Sequence, residues 1–256
     1  MEVRKTGVIG YIAGRWPLDS DKFTLVFIHG AGGTGSFWQV QIDALADKAN
    51  TLALDLPGHG RSDGPGKDTI EAYAQIVNEF VNELKIPNPI PCGVSMGGAI
   101  VQQLLMDFAQ RYPAGILMGT GARMGVAPAI FETIENDFSA FVNMIGTFAV
   151  SQKTDHELVQ PFIEELARSN PEIVLGDFRA CDRFDSREGL SSIIAPVLII
   201  TSDEDKLTPA KYGEFLEKNI QKTQRVHILD AGHIVSVERP DEVNKAIQKF
   251  LENEKV

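Results

Sequence analysis

Short apolar runs alternate with longer amphipathic stretches along most of the chain, and this alternation limits the possible folds more than any other feature. Near-continuous apolar runs of this length are typical of parallel strands buried on both faces. The runs predict strands at residues 8–13, 23–28, 51–54, 90–94, 115–118, 197–201 and 225–229. Helical spacing predicts helices at residues 37–48, 69–84, 96–112 and 241–251, with Thr69 and Pro240 at the starts of two of them. The chain is therefore predicted to be an α/β protein with a mostly parallel sheet flanked by helices.

The alternation is interrupted once, between residues 122 and 190. This segment has helical patterns rich in Phe and Met but no convincing strand, and it is too long for an ordinary loop. We predict a helical excursion that covers one end of the sheet.

Composition excludes several classes of protein. A chain of 256 residues with 43% hydrophobic content can bury a substantial core, and its net charge of −11 argues against nucleic acid and anionic membranes as partners. The amino terminus lacks the apolar region of a signal peptide, and no apolar run is long enough to span a membrane. Cys92 and Cys181 have neither disulfide-framework nor metal-ligand spacing. We expect a soluble cytoplasmic protein without a metal or cofactor.

Residues 93–97 read Gly-Val-Ser-Met-Gly, which matches the motif G-x-S-x-G between a predicted strand and a predicted helix. A serine on so tight a turn is exposed at the carboxyl end of the sheet, where α/β proteins place ligands. The turn also places Ser95 at a helix N-terminus, where the N–H of Met96 can stabilise an oxyanion. Ser95 is the predicted nucleophile.

A histidine and an acid follow the serine in the chain order that such sites require. Of five histidines, His233 lies in a loop after the last predicted strand and is the predicted general base. Residues 202–209 follow another buried strand and carry three carboxylates. Asp205 is the predicted partner of His233, with Asp203 as the alternative.

Residues 29–33, His-Gly-Ala-Gly-Gly, form a glycine-rich turn after an early strand. Such a turn lets a backbone N–H point into the site, and Ala31 is the predicted second oxyanion donor, with Gly32 as the alternative. The competing interpretation is phosphate binding, but neither nucleotide-binding glycine motif is present, which argues against a nucleotide site. His59 and Ser62 lie in a glycine-dependent turn that we interpret as structural.

Together these motifs resemble the α/β-hydrolase superfamily, and particularly its small bacterial esterases, lactonases and C–C bond hydrolases. The resemblance covers nearly the whole chain: residues 29–33, 55–62, 93–98, 205–209 and 232–233 carry it. It implies an eight-stranded, mostly parallel sheet with an antiparallel early strand. It also implies a core domain of residues 1–121 and 191–256, with a helical cap inserted at 122–190. Ser202 stands where many relatives have glycine, which leaves Asp203 open as the acid.

The predicted activity is that of a serine hydrolase that forms an acyl-enzyme with a small ester. The Phe- and Met-rich excursion favours an apolar acyl or aromatic substrate. Alternatives are a lactonase, a C–C bond hydrolase or a perhydrolase that uses the same three residues. A non-catalytic ligand-binding protein on the same scaffold is an alternative of a different class.

Overall fold

The computed structural model describes residues 1–254. Their strands are β1 (Glu2–Thr6), β2 (Ile9–Ala13), β3 (Thr24–Ile28), β4 (Asn50–Leu54), β5 (Pro89–Val94), β6 (Gly115–Met118), β7 (Val197–Ser202) and β8 (Thr223–Ile228). They form one eight-stranded sheet in the order β1-β2-β4-β3-β5-β6-β7-β8. β2 pairs antiparallel with β1 and β4, and the other neighbours are parallel. The predicted α/β fold and its seven strands are confirmed, and β1 was not predicted.

The central strands are buried because they are covered on both faces. Every residue of β3 and β5 is buried. Along β3, Leu25 and Phe27 pack into one hydrophobic cluster, whereas Val26 and Ile28 pack into another on the opposite face. Successive side chains of a strand point to opposite faces, so both must be apolar when both faces are covered.

Helices flank the sheet at α1 (Gln39–Leu45), α2 (Ile70–Glu83), α3 (Met96–Asp107), α8 (Lys211–Asn219), α9 (Val235–Glu238) and α10 (Pro240–Asn253). The side chain of Thr69 accepts a hydrogen bond from the N–H of Ala72 and caps α2, as predicted. α1 follows a 3-10 turn at Gly35–Trp38, and α3 ends five residues before the predicted end at residue 112. No helix within residues 1–254 is both long enough and apolar enough to cross a membrane.

Residues 122–190, which we call the cap segment, contain four helices: α4 (Pro128–Asn136), α5 (Phe138–Phe148), α6 (His156–Ala167) and α7 (Pro171–Arg183). These helices share a small hydrophobic cluster of their own, built around Phe141, Ile145 and Val174. The cap segment contributes no strand to the sheet. Its division from the core as a separate domain stays a prediction, and residues 255–256 of the predicted core lie outside the described residues.

Candidate active site

Ser95 lies on a sharp turn between β5 and α3, at the carboxyl end of the parallel strands. Its backbone has φ +56° and ψ −119°, a conformation that residues other than glycine rarely adopt. The N–H of Ser95 donates a 3.0 Å hydrogen bond to the carbonyl of Met118 and so ties the turn to β6. Strain of this kind costs about 1–3 kcal/mol and persists only where the surrounding structure enforces it.

Glycines on either side allow this turn. A Cβ atom on Gly93 would lie 2.2 Å from the backbone carbonyl of Gly97, and one on Gly97 would lie 2.3 Å from the carbonyl oxygen of Ile28. Both contacts are to backbone, which cannot move away as a flexible side chain would. The spacing of the motif is therefore a steric requirement of the close approach between β5 and α3.

Replacing Gly93 with alanine is expected to lower the free energy of unfolding by about 3 kcal/mol, since overpacking against backbone cannot be relieved by a rotamer change. Gly125→Ala is the matched control, because no atom lies within 4 Å of a Cβ at that position. Urea unfolding followed by circular dichroism measures both variants. Equal stability of the two variants would contradict the steric explanation.

His233 and Asp205 meet at the carboxyl ends of β7 and β8. The Nδ1 atom of His233 lies 2.9 Å from Oδ2 of Asp205, and both side chains are buried. Thr208, which was not singled out from the sequence, donates its hydroxyl to the same carboxylate oxygen at 2.7 Å. The amides of Leu207 and Thr208 donate to Oδ1 of Asp205 at 2.9 and 2.8 Å. The carboxylate is therefore held in one orientation toward the imidazole.

The alternative acid, Asp203, lies elsewhere. It is exposed, and its Oδ1 atom accepts a long hydrogen bond of 3.4 Å from the N–H of Ala231. Ser202, which stands where many relatives have glycine, donates its hydroxyl to the carbonyl of Gly232 at 2.6 Å. This serine links β7 directly to the loop that carries His233. Of the two aspartates, only Asp205 is placed to orient the histidine.

The two side chains shift each other's pKa. Burial alone would lower the pKa of His233, but the charge of Asp205, its hydrogen bond and the charge of Glu238 raise it above the ordinary histidine value. Burial alone would raise the pKa of Asp205, but His233 and the donors of Thr208 hold it below its ordinary value. The structure thus favours an ionised acid beside a basic histidine.

Ser95 and His233 both line one cavity of about 270 Å³. Most of its wall is apolar, and about half of the lining residues come from the cap segment, including Met124, Val126, Ile130, Phe141, Ile145, Phe162, Leu166 and Phe178. Within residues 1–254, no hydrogen bond joins the hydroxyl of Ser95 to His233, whose Nδ1 atom is engaged by Asp205. Catalytic hydrogen bonds are often long in proteins without substrate.

The glycine-rich loop after β3 passes beside Ser95. A Cβ atom on Gly30 would lie 3.2 Å from the Cβ atom of Ser95. The N–H of Gly32, the alternative oxyanion donor, is already bound to the carboxylate of Asp177 at 2.8 Å. In the part of the chain that the structure describes, no hydrogen bond engages the N–H of Ala31. The N–H of Met96 is at the first position of α3, where the helix supplies no acceptor.

His29, the first residue of this loop, packs its ring beside that of His59, which was interpreted as structural. His29 accepts a 3.0 Å hydrogen bond from the N–H of Leu56 and donates through Nδ1 to the carbonyl of Gly30 at 2.8 Å. Burial, together with nearby His59, lowers the pKa of His29 to about 4. A neutral imidazole at this position joins the end of β3 to the turn after β4.

Glu238 is a buried carboxylate that could not be recognised from the sequence. Its Oε1 atom accepts from the N–H of Gly232 at 2.9 Å, and Oε2 accepts from the N–H of Ser151 and the hydroxyl of Thr154 at 2.8 and 2.6 Å. It thereby joins the loop of His233 to the cap segment.

One acidic cluster lies outside the cavity. Asp203, Glu204 and Asp230 are, within residues 1–254, a group whose oxygen atoms lie close enough together to bind one ion. Lys153 forms ion pairs with Glu204 and Asp230 and already supplies positive charge there.

Comparison with known proteins places this chain among the α/β hydrolases. A family model described as the alpha/beta hydrolase family matches residues 25–246. The 3-oxoadipate enol-lactonase 2 of Acinetobacter baylyi is 29% identical over 240 residues, covering 91% of this chain and 90% of that protein. A solved thermophilic esterase is 31% identical with a TM-score of 0.82, covering 96% of this chain and 94% of that one. The enol-lactonase of Burkholderia xenovorans, at 23% identity and a TM-score of 0.86, covers 98% of this chain and all of its own, and shares the fold.

Proposed function

This chain belongs to the α/β hydrolase family and is a hydrolase of ester bonds, and we propose that it acts through an acyl-enzyme formed on Ser95. One observation carries the proposal. His233, which is paired with Asp205 at 2.9 Å, lines the same cavity as Ser95, whose φ is +56°. A nucleophile, a base and an acid that orients the base are the parts that acyl transfer requires.

In the proposed reaction, His233 takes the hydroxyl proton as the oxygen of Ser95 attacks the ester carbonyl. The carbonyl π electrons move to oxygen, and the N–H groups of Ala31 and Met96 donate hydrogen bonds to the oxyanion. Collapse of the intermediate expels the alcohol, which takes the proton from His233. Water then attacks the acyl-enzyme by the same steps and releases the acid. Asp205 stays ionised and stabilises the imidazolium.

The cavity supports a small, largely apolar substrate. Its volume of about 270 Å³ is below the usual range for sites that bind drug-sized ligands. Its walls are mostly aliphatic and aromatic side chains, so an apolar group gains free energy by burial there, and Lys206 is the lysine that also lines the cavity. We propose a short ester or lactone with an apolar acyl or aromatic group, handled in the cytoplasm.

A substrate panel tests the reaction class. We expect turnover of short p-nitrophenyl esters and simple lactones, with a burst of p-nitrophenol when deacylation is slower than acylation. The panel also contains thioesters and vinylogous diketones. A C–C bond hydrolase would prefer the diketones. Turnover confined to the diketones, or tight binding without turnover across the panel, would contradict an ester hydrolase.

The pH profile reports on His233. Only a neutral imidazole accepts the proton of Ser95, so kcat/KM should rise with pH through a pKa above the ordinary histidine value. Glu238→Gln removes a negative charge that raises this pKa, so the rising limb should move to lower pH. Kinetic assays of p-nitrophenyl butyrate across pH measure the limb.

Glu242→Gln is the matched control for this shift, because Glu242 is an exposed carboxylate on the neighbouring α10. The control should keep the wild-type profile. A limb at the same pH in Glu238→Gln and in the wild type would show that Glu238 has no electrostatic effect on the base.

A further inference from the structure

Side chains of the cap segment form hydrogen bonds with the loop of residues 29–33, which carries the proposed second oxyanion donor, Ala31. Asp177 on α7 accepts from the N–H of Gly32, and the hydroxyl of Ser169 donates to the carbonyl of Gly32 at 3.0 Å. Two residues further on, the hydroxyl of Thr34 donates to Glu165 at 2.5 Å. Gly32 is thus held at both its N–H and its C=O by side chains of the cap segment.

Packing reinforces these hydrogen bonds. Gly32 has φ +67°, and a Cβ atom there would lie 2.6 Å from Leu166 and 3.2 Å from Val174, both in the cap segment. The loop and the cap helices are therefore in direct contact at this residue. A side chain at position 32 would crowd the side chains of Leu166 and Val174, in addition to being strained at this positive φ.

Asp177 is fully buried and is satisfied entirely by the core. Besides the amide of Gly32, its carboxylate binds Nε2 of His59 at 2.8 Å and the hydroxyl of Tyr73 at 2.6 Å. These three donors come from three separate segments of the core. A buried carboxylate is tolerated only when it is paired and hydrogen-bonded, so the cap segment cannot move away from this point without a large cost.

The pKa of His59 is consistent with its hydrogen bond to Asp177. Burial alone would lower the pKa of His59, but the charge and hydrogen bond of Asp177 raise it above the ordinary histidine value. Its Nδ1 atom lies 3.1 Å from the carbonyl of Pro57, so both ring nitrogens face acceptors. A protonated His59 would donate through both and compensate the buried charge of Asp177.

The N–H of Gly32 already donates to Asp177, so it cannot also donate to an oxyanion. Another amide of the loop has to supply that hydrogen bond. Ala31 lines the same cavity as Ser95, and within residues 1–254 its N–H, unlike that of Gly32, is engaged by no hydrogen bond. We propose that Asp177 is a positioning residue for the ester hydrolysis proposed above, because it fixes the oxyanion loop from the cap segment so that the amide of Ala31 faces the reacting carbonyl. The cap segment thereby completes the catalytic site as well as enclosing the substrate.

Asp177→Asn tests this role in the full chain. An asparagine keeps the volume but removes the charge and replaces one of the two acceptor oxygens with an NH₂ group, so it can no longer accept from Gly32, His59 and Tyr73 together and the loop is held less firmly. We expect kcat for p-nitrophenyl butyrate to fall about 10²-fold, the typical effect of a misplacement near 1 Å, with little change in KM. Affinity for an aryl trifluoromethyl ketone, whose serine adduct carries an oxyanion, should fall in parallel. Glu172→Gln changes an exposed carboxylate on the same helix and should match the wild type.

Ser169→Ala provides a second, milder variant should Asp177→Asn fail to fold. It removes the hydroxyl on the Gly32 carbonyl and should lower kcat about 10-fold, again with little change in KM. Wild-type kcat in Ser169→Ala or in a folded Asp177→Asn, or a loss of kcat without loss of ketone affinity, would overturn the positioning role. Retained turnover in Ser95→Ala would instead overturn the proposed function on which this inference rests.

Discussion

Replacing Ser95 with alanine is expected to lower kcat for p-nitrophenyl butyrate by about 10⁴- to 10⁶-fold, the effect seen when a serine hydrolase loses its nucleophile. The oxyanion donors and the cavity would remain, so weak activity above the uncatalysed rate and a normal melting temperature are expected. Steady-state kinetics at high enzyme concentration measure the residual rate.

Ser20→Ala is the control for this loss, because Ser20 is an exposed loop serine. It should retain wild-type turnover. That result would show that removing a serine hydroxyl has no general effect on turnover. A Ser95→Ala enzyme within about 10-fold of the wild type would leave the cavity without its proposed chemistry, given the size of the loss expected on this mechanism.

Asp205→Asn is expected to lower kcat by about 10⁴-fold. The amide keeps the shape of the carboxylate but can neither stabilise the imidazolium by charge nor reliably select the tautomer of His233 that accepts from Ser95. Its hydrogen bonds from Leu207 and Thr208 should preserve the loop, so stability should change less than activity.

Asp203→Asn is the matched control, since it makes the same change two residues away on an exposed side chain. The control should keep near wild-type kcat. A larger loss in Asp203→Asn than in Asp205→Asn would reverse the assignment of the acid and restore the alternative that the sequence left open.

The strands that could be predicted are those buried on both faces. β3, β5 and β7 are continuous apolar runs, and such runs are strong signals. β1 escaped prediction because it lies at the edge of the sheet with mostly exposed side chains, including Val3. α8 was not predicted either, because it is short and buries only Gly213 and Leu216, so few apolar residues mark it in the sequence.

The site residues that could be predicted are also those marked by their neighbours in the sequence or by chain order. Those whose partners are distant along the chain could not be predicted. Ser95 could be predicted because its strand, turn and helix are consecutive, and His233 could be predicted from chain order. Asp177 and Glu238 could not, because their partners lie 145 and 87 residues away along the chain. In the sequence, a buried carboxylate of an amphipathic helix cannot be distinguished from a solvent-exposed one. Only the folded structure shows the hydrogen-bond donors around it.

The most direct test of the central claim is to find which residue becomes covalently modified. The protein is treated with a fluorophosphonate, digested and analysed by peptide mass spectrometry. We expect one adduct, on the peptide that contains Ser95, with its rate strongly reduced in Asp205→Asn. An adduct on another residue, or complete loss of hydrolysis with Ser95 unmodified, would contradict the mechanism.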